Sequence, residues 1–182
     1  MTDPRRLHIG GTVRAPGWEV LNIVAGPHVD HVGNANDLSR FEDHSFAAVY
    51  ASHTLEHFDY SGDLERALGE WARILAPGGS LYVSVPDLET LSKLLLVKED
   101  LTMSDRFMVM RMIFGGHVDG HDYHLVGLNE EFLGYFLTRA GFVALRRVPS
   151  FGFFQDTSEL LFKGIPISLN VIATKPGIGA GP

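Results

Sequence analysis

The chain has no cysteine, which removes disulfides, thiolate metal ligands and a cysteine nucleophile from consideration. Long apolar runs are missing too. Nothing approaches the roughly 18 residues that a membrane-spanning helix needs, and the N-terminal MTDPRRLHIGG holds no signal-peptide core. Positive charge is scarce: the formal net charge is −7, and the densest basic clusters are the pairs Arg5-Arg6 and Arg146-Arg147. Such a chain repels phosphate backbones, so nucleic acid is not an expected partner. These absences together predict a cytoplasmic protein with no membrane partner, and there is no internal repeat.

What is present suits a globular domain: 182 residues, 45% hydrophobic and 20% charged. One domain is expected over 1–175, with a disordered Gly- and Pro-rich tail over 176–182. Apolar runs predict strands at RLHIG (6–10), WEVLNIV (18–24), VDHVG (29–33), SFAAVYAS (45–52), SLYVSVPD (80–87), FVALRRV (142–148) and ISLNVIAT (167–174). A 3.6-residue period through Leu64, Ala67, Leu68, Trp71, Ile74 and Leu75 predicts a helix over 63–75, capped by Asp63 and stopped by APGG (76–79). Further helices are expected over 88–97, 104–114 and 129–141, the last capped by Asn129 and closed by Gly141. The Met- and Phe-rich face of 107–114 reads as core, as does Trp71. Trp18 reads as a lid over the first strand. Phe151, Phe153 and Phe154 suit a pocket wall or a subunit contact. Apolar strands alternating with helices imply a mostly parallel sheet, and such sheets bind ligands just beyond the carboxyl ends of their strands.

One such end carries HTLEH (53–57), an H-x-x-E-H pattern found in zinc hydrolases. A metal hydrolase would use Glu56 as base and take a third ligand from Glu130 or Glu131. The plainer alternative is that Glu56 and His57 cap or solvate the segment after the fourth strand. His53 stands at the strand's exit rather than in mid-helix, which distances it from the protease pattern. A dinucleotide fold would need G-x-G-x-x-G opening a helix; GGTVRAPGW supplies neither the glycines nor the helix.

The blocks LHIGG (7–11), GWEVLNI (17–23), NANDLSRFEDHSFAAVYASHTLEHF (34–58), LGEWARILAPGGSLYVSVPD (68–87), DYHLVGLNEEFL (122–133) and RAGF (139–142) follow a recognisable order. The chain resembles class I S-adenosylmethionine-dependent methyltransferases, in particular a small bacterial group known as predicted methyltransferases, some linked to polysaccharide genes. The resemblance implies a Rossmann-like α/β fold with seven strands, the last antiparallel and inserted beside the fifth. It implies S-adenosylmethionine as cofactor. Gly10 and Gly11 match the loop that approaches its methionine part. Asn22 with Ile23 stands where an acid often holds the ribose hydroxyls, Asp37 and Leu38 match the adenine contacts, and Ser52 and His53 match the turn along the cofactor. The chain departs from the family in a trimmed glycine loop and in Asn22, a neutral residue in place of the acid.

A hydroxyl acceptor needs a general base, and the loop GGHVDGHDYH offers several. His124 is the expected base, with Asp122 or His121 next; the alternative is a polar Gly-rich loop that merely contains histidines. Gly115, Gly116 and Gly120 argue against the helix that a His117-His121-His124 metal cluster would require. The expected activity is O-methylation of a small molecule or glycan. Alternatives are a binding module with a decayed cofactor site and the zinc hydrolase. A homodimer completing the substrate pocket is compatible with all of this.

Overall fold

The computed structural model describes residues 4–177 and Gly179, so most of the expected tail lies outside the described residues. The elements in order are β1 (Arg6–Ile9), β2 (Glu19–Asn22), β3 (His31–Val32), β4 (Phe46–Ser52), α1 (Asp63–Ile74), β5 (Leu75–Pro86), α2 (Leu88–Leu96), α3 (Met103–Phe114), α4 (Glu130–Arg139), β6 (Val143–Val148), β7 (Leu161–Phe162), β8 (Ile165–Pro166) and β9 (Ser168–Thr174). Seven strands form one sheet in the order β3-β2-β1-β4-β5-β9-β6, and β7-β8 is a separate pair. β1 to β5 pair in parallel, while β9 runs antiparallel between β5 and β6. This is the sheet that the sequence resemblance implies. The strand order reverses between β1 and β4, which opens a crevice at their carboxyl ends.

The two sheet faces are covered differently. Leu7, Ile9, Val49, Ala51, Leu81, Val83, Leu169 and Val171 point to one face and join the buried stripe of α1 (Leu64, Ala67, Leu68, Trp71, Ile74) with Leu133 and Leu137 of α4. Trp71 is fully buried and donates its indole N–H to Ala35 O at 2.9 Å, so a large apolar ring enters the core without an orphaned donor. On the opposite face Trp18, Ala48, Tyr50 and Phe154 cluster, with Tyr82 and Phe151 against them. An aromatic layer, rather than helices, covers this part of the sheet. Phe151, Phe153 and Phe154 therefore belong to that layer. The Tyr50 hydroxyl fastens the segment by donating to Asp156 at 2.8 Å.

Several local expectations are corrected. Asp63 is the first residue of α1, not its cap; Gly62 precedes it without a side-chain cap bond. α1 ends at Ile74 and β5 begins at Leu75, so APGG lies inside a strand, where the register against β4 shifts between Phe46 and Ala48. The Met- and Phe-rich face of α3 is not core: Val109 is buried, but Phe107 is 55% exposed and Phe114 53%. α3 packs beside α2, and Val109, Met112 and Ile113 are its residues in the cluster with Leu91 and Leu94. β6 is exposed along its length and bulged, with Ala144 at φ +52 and a register shift between Val143 and Arg146.

His8, on β1, sits beneath the aromatic layer with its ring centroid 4.9 Å from that of Tyr50 and 4.2 Å from that of Phe154. A Cβ on Gly11 would come within 2.7 Å of this ring, so glycine there makes room for His8. Burial lowers the His8 pKa to about 4, partly opposed by Asp156. The unfolded chain then binds one more proton between that value and about 6.5, so this group's contribution to stability is lost as pH falls through that window. We expect the wild type to lose about 3 kcal/mol more than His8→Gln between pH 6.5 and 4. Denaturant unfolding at a series of pH values measures this; parallel pH profiles for the two proteins would remove His8 as the acid-sensitive group.

Candidate functional site

The chain leaves β1 through Gly10, at φ +74, and a Cβ there would stand 2.5 Å from Thr54 Oγ1. Glycine thus allows the β1 exit to lie against the β4 exit. Asn22, at the end of β2, holds the same loop: Nδ2 donates to Gly11 O at 2.9 Å and Gly10 O at 3.2 Å, while Oδ1 accepts from Val24 N. β4 is followed at once by His53, whose φ of +50 is unusual for a residue with a Cβ. A single 3-10 turn, Leu55–His57, follows. The loop after α3 docks on this turn through the backbone: Leu125 N donates to Glu56 O at 2.7 Å, and His57 Nδ1 lies 3.0 Å from Tyr123 O.

Between these parts lies a cavity of about 690 Å³. Gly10, Asn22 and Ile23 line one part, and His53, Thr54 and His57 line another. The loop residues His121, Asp122 and Tyr123 complete it. Among the residues expected to touch the cofactor, Gly10, Asn22, Ile23 and His53 are thereby brought together. Gly11 faces His8 instead, and Ser52 Oγ is 3.1 Å from Thr157 Oγ1. Leu38 is fully buried in the core, and its N–H donates to Glu70 Oε2 at 2.9 Å. Arg73 fixes that segment further by donating to the carbonyls of Leu38 and Phe41. The exposed Asp37 carboxylate accepts from Ser39 N. Residues not anticipated are Gly33, Asn34 and Ala35, just past β3, which line the cavity where Asp37 and Leu38 were expected.

Among the expected bases, His121 and Asp122 line the cavity but His124 does not. Its side chain is 11% exposed and turned inward, with Nδ1 3.3 Å from Ile113 O and Nε2 4.0 Å from Glu56 Oε1. Burial, then the neighbouring His57, lowers its pKa. His117 does not join it: that ring stacks on Tyr123. Glu130 pairs with Arg147, away from HTLEH.

Glu56 is the residue whose setting the sequence concealed. It is 1% exposed, and neither carboxylate oxygen has a hydrogen-bond partner. Burial raises its pKa to about 8. His53 Nδ1 is 3.4 Å from its Oε1, and burial, then the charge of His124, brings the His53 pKa down to about 4. A carboxyl group that merely solvated the turn would face water; this one is shut away from it, with the His53 and His124 rings as neighbours.

Residues 20–83 match the family model described as a methyltransferase domain. The fold is that of the class I methyltransferases. A protein from Bordetella parapertussis described as a possible exported protein shares it at 13% identity and a TM-score of 0.59, over 96% of this chain and 62% of that one. The CurJ carbon methyltransferase does so at 18% and 0.57, over 96% of this chain and 49% of that one. A Burkholderia thailandensis 1,6-didemethyltoxoflavin-N1-methyltransferase, solved with bound 1,6-didemethyltoxoflavin and S-adenosylhomocysteine, does so at 16% and 0.57, over 95% and 72%. This chain thus spans about half to two thirds of the first two. No curated protein matches it in sequence. Among the described residues no helix is long and apolar enough to cross a membrane.

The Gly10 contact predicts that Gly10→Ala lowers stability by about 1–3 kcal/mol, from the positive φ and the clash together. Adding Thr54→Ala should return only the clash part. Thermal unfolding of the single and double variants measures this; an unchanged melting temperature for Gly10→Ala would show that the two exits are not in close contact.

Proposed function

We propose that this chain is an S-adenosylmethionine-dependent methyltransferase acting on a hydroxyl of a small molecule or glycan. The observation that carries the reading is one cavity, walled by the β1 exit and Asn22 at one part and by imidazoles at another. The residues fit the cofactor. Gly10 admits close backbone approach, the Asn22 carbonyl keeps a second lone pair for a ribose hydroxyl, and Ile23, Val24 and Ala35 offer apolar surface to a purine. When bound, S-adenosylmethionine supplies an activated methyl group on a sulfonium. The chain's own tasks are then to orient the acceptor in line and to remove its proton.

His57 suits the second task. Tyr123 O can only accept, so His57 Nδ1 carries the proton and Nε2 keeps its lone pair, on a residue that lines the cavity. Glu56 and His124 stand behind it, with the His57 and His124 ring centroids 5.0 Å apart. The base is thus assigned to His57, backed by Glu56 and His124. Carbon and nitrogen acceptors occur on this fold in the CurJ and Burkholderia enzymes, so the oxygen acceptor rests on the resemblance and on this imidazole. A second reading, a binding module, draws on Asn22, whose amide is already committed to the glycine loop.

Calorimetric titration of the full chain with S-adenosylhomocysteine separates the readings. We expect saturable micromolar binding, weakened about tenfold or more in Asn22→Ala. His57→Ala should keep that affinity but lose about a hundredfold or more in turnover once an acceptor is found among hydroxylated small molecules and glycans. No binding at millimolar ligand by the folded chain would leave the binding module.

A further inference from the structure

We propose that Glu56, His57 and His124 form a binding site for one divalent transition-metal ion of the zinc class. One ligand atom from each residue lies within 4.8 Å of the others. Glu56 supplies the observation that points to an ion: a carboxylate 98% removed from solvent, with both oxygens unpartnered. A proton on Oε1 finds one acceptor, His53 Nδ1 at 3.4 Å, but leaves Oε2 without a donor; a cation shared with His57 and His124 engages the carboxylate directly.

The histidines are prepared for the same task. His57 Nδ1 and His124 Nδ1 each face a backbone carbonyl, Tyr123 O at 3.0 Å and Ile113 O at 3.3 Å. A carbonyl only accepts, so both rings carry their proton on Nδ1 and present the Nε2 lone pair. This outer-shell arrangement is the one that fixes metal-binding imidazoles. His53 is oriented likewise. Ser168 Oγ donates to Thr157 O at 2.8 Å, so it accepts from His53 Nε2, and the His53 Nδ1 lone pair faces Glu56. The three imidazoles near Glu56 thus contribute no hydrogen to its carboxylate.

The donor set selects the ion. Two imidazoles and a carboxylate suit zinc and its first-row neighbours, whereas magnesium and calcium prefer all-oxygen shells. Around zinc the ligand atoms stand roughly 3.3 Å apart, so the three must close on the ion by about 1 Å or less each. Three protein ligands leave a fourth position, and His57, which also lines the cavity, joins the site to it. This is the pattern of a catalytic rather than a structural zinc site. The site needs no methyl donor and is independent of cofactor binding, but it competes with the base role of His57, whose single Nε2 lone pair serves either the ion or the acceptor proton.

The test uses the full chain, stripped with chelator and titrated calorimetrically with zinc, and in parallel with cobalt(II) followed by visible absorption. We expect one equivalent to bind, with the intense d–d band of a four-coordinate N/O site. Affinity should fall at least about tenfold in Glu56→Gln and in His124→Ala and remain unchanged in His117→Ala and His121→Ala. Should a ligand variant fail to fold, the wild type still decides, because long-range proton–nitrogen spectra must show zinc perturbing the His57 and His124 Nε2 signals and not those of His117 and His121. No saturable binding, weak octahedral cobalt absorption only, or equal losses in the His117 and His121 variants would overturn the proposal. Titration with S-adenosylhomocysteine in chelator is read separately, so failure of either site leaves the other standing.

Discussion

The contact on which the site depends is the approach of two strand exits, Gly10 after β1 and Thr54 after β4. These strands are neighbours at the reversal point of the sheet, so their loops must diverge to leave a crevice, yet both must pass close to its floor. The absence of a side chain at Gly10 permits the approach, and Asn22 maintains it from the next strand by holding two carbonyls of the same loop. At the β4 exit His53 adopts a left-handed conformation, and the HTLEH turn falls beside the cavity. The loop after α3 is then fastened to that turn through Glu56 O and Tyr123 O. Gly10, Asn22 and His53 thus form one mechanical unit, although they are distant in sequence.

That unit buries a carboxylate. A buried Glu56 is costly, and the histidines beside it offer its carboxylate no hydrogen. A fold built for stability alone would place a leucine there. The sequence retains the acid, and the surrounding backbone retains the imidazole orientations, so this part of the molecule spends stability on chemistry. The aromatic layer on the other sheet face does the opposite. Trp18, Tyr50 and Phe154 close the sheet where a helix would otherwise lie, and they line no part of the cavity.

Much of this was readable in one dimension. The strand order followed from motif order, because the blocks from LHIGG to ISLNVIAT occur in the succession that the resemblance requires. Gly10, Asn22, Ile23 and His53 stood at strand ends, where a parallel sheet places its ligand contacts. Leu38 did not reach the cavity because Glu70 and Arg73 of α1 hold its backbone against the core, a tertiary contact that leaves no local signature. The exposed face of α3 misled for a related reason: an apolar face predicts burial only if some element is available to cover it. HTLEH was visible as a pattern, but the partner that gives Glu56 its meaning is His124, which comes from a loop 68 positions later in the chain.

The two edges of the main sheet have a consequence of their own. A row of unpaired backbone groups on an edge strand is a template on which another chain can add a strand. β3, at one edge, is two residues long. β6, at the other, is interrupted by the Ala144 bulge and carries Arg146 and Arg147 on exposed positions. Neither edge presents a flat, uncharged ladder long enough to be extended. The fold therefore carries its own barrier to edge-to-edge polymerisation, supplied at one end by brevity and at the other by a kink and polar, charged side chains.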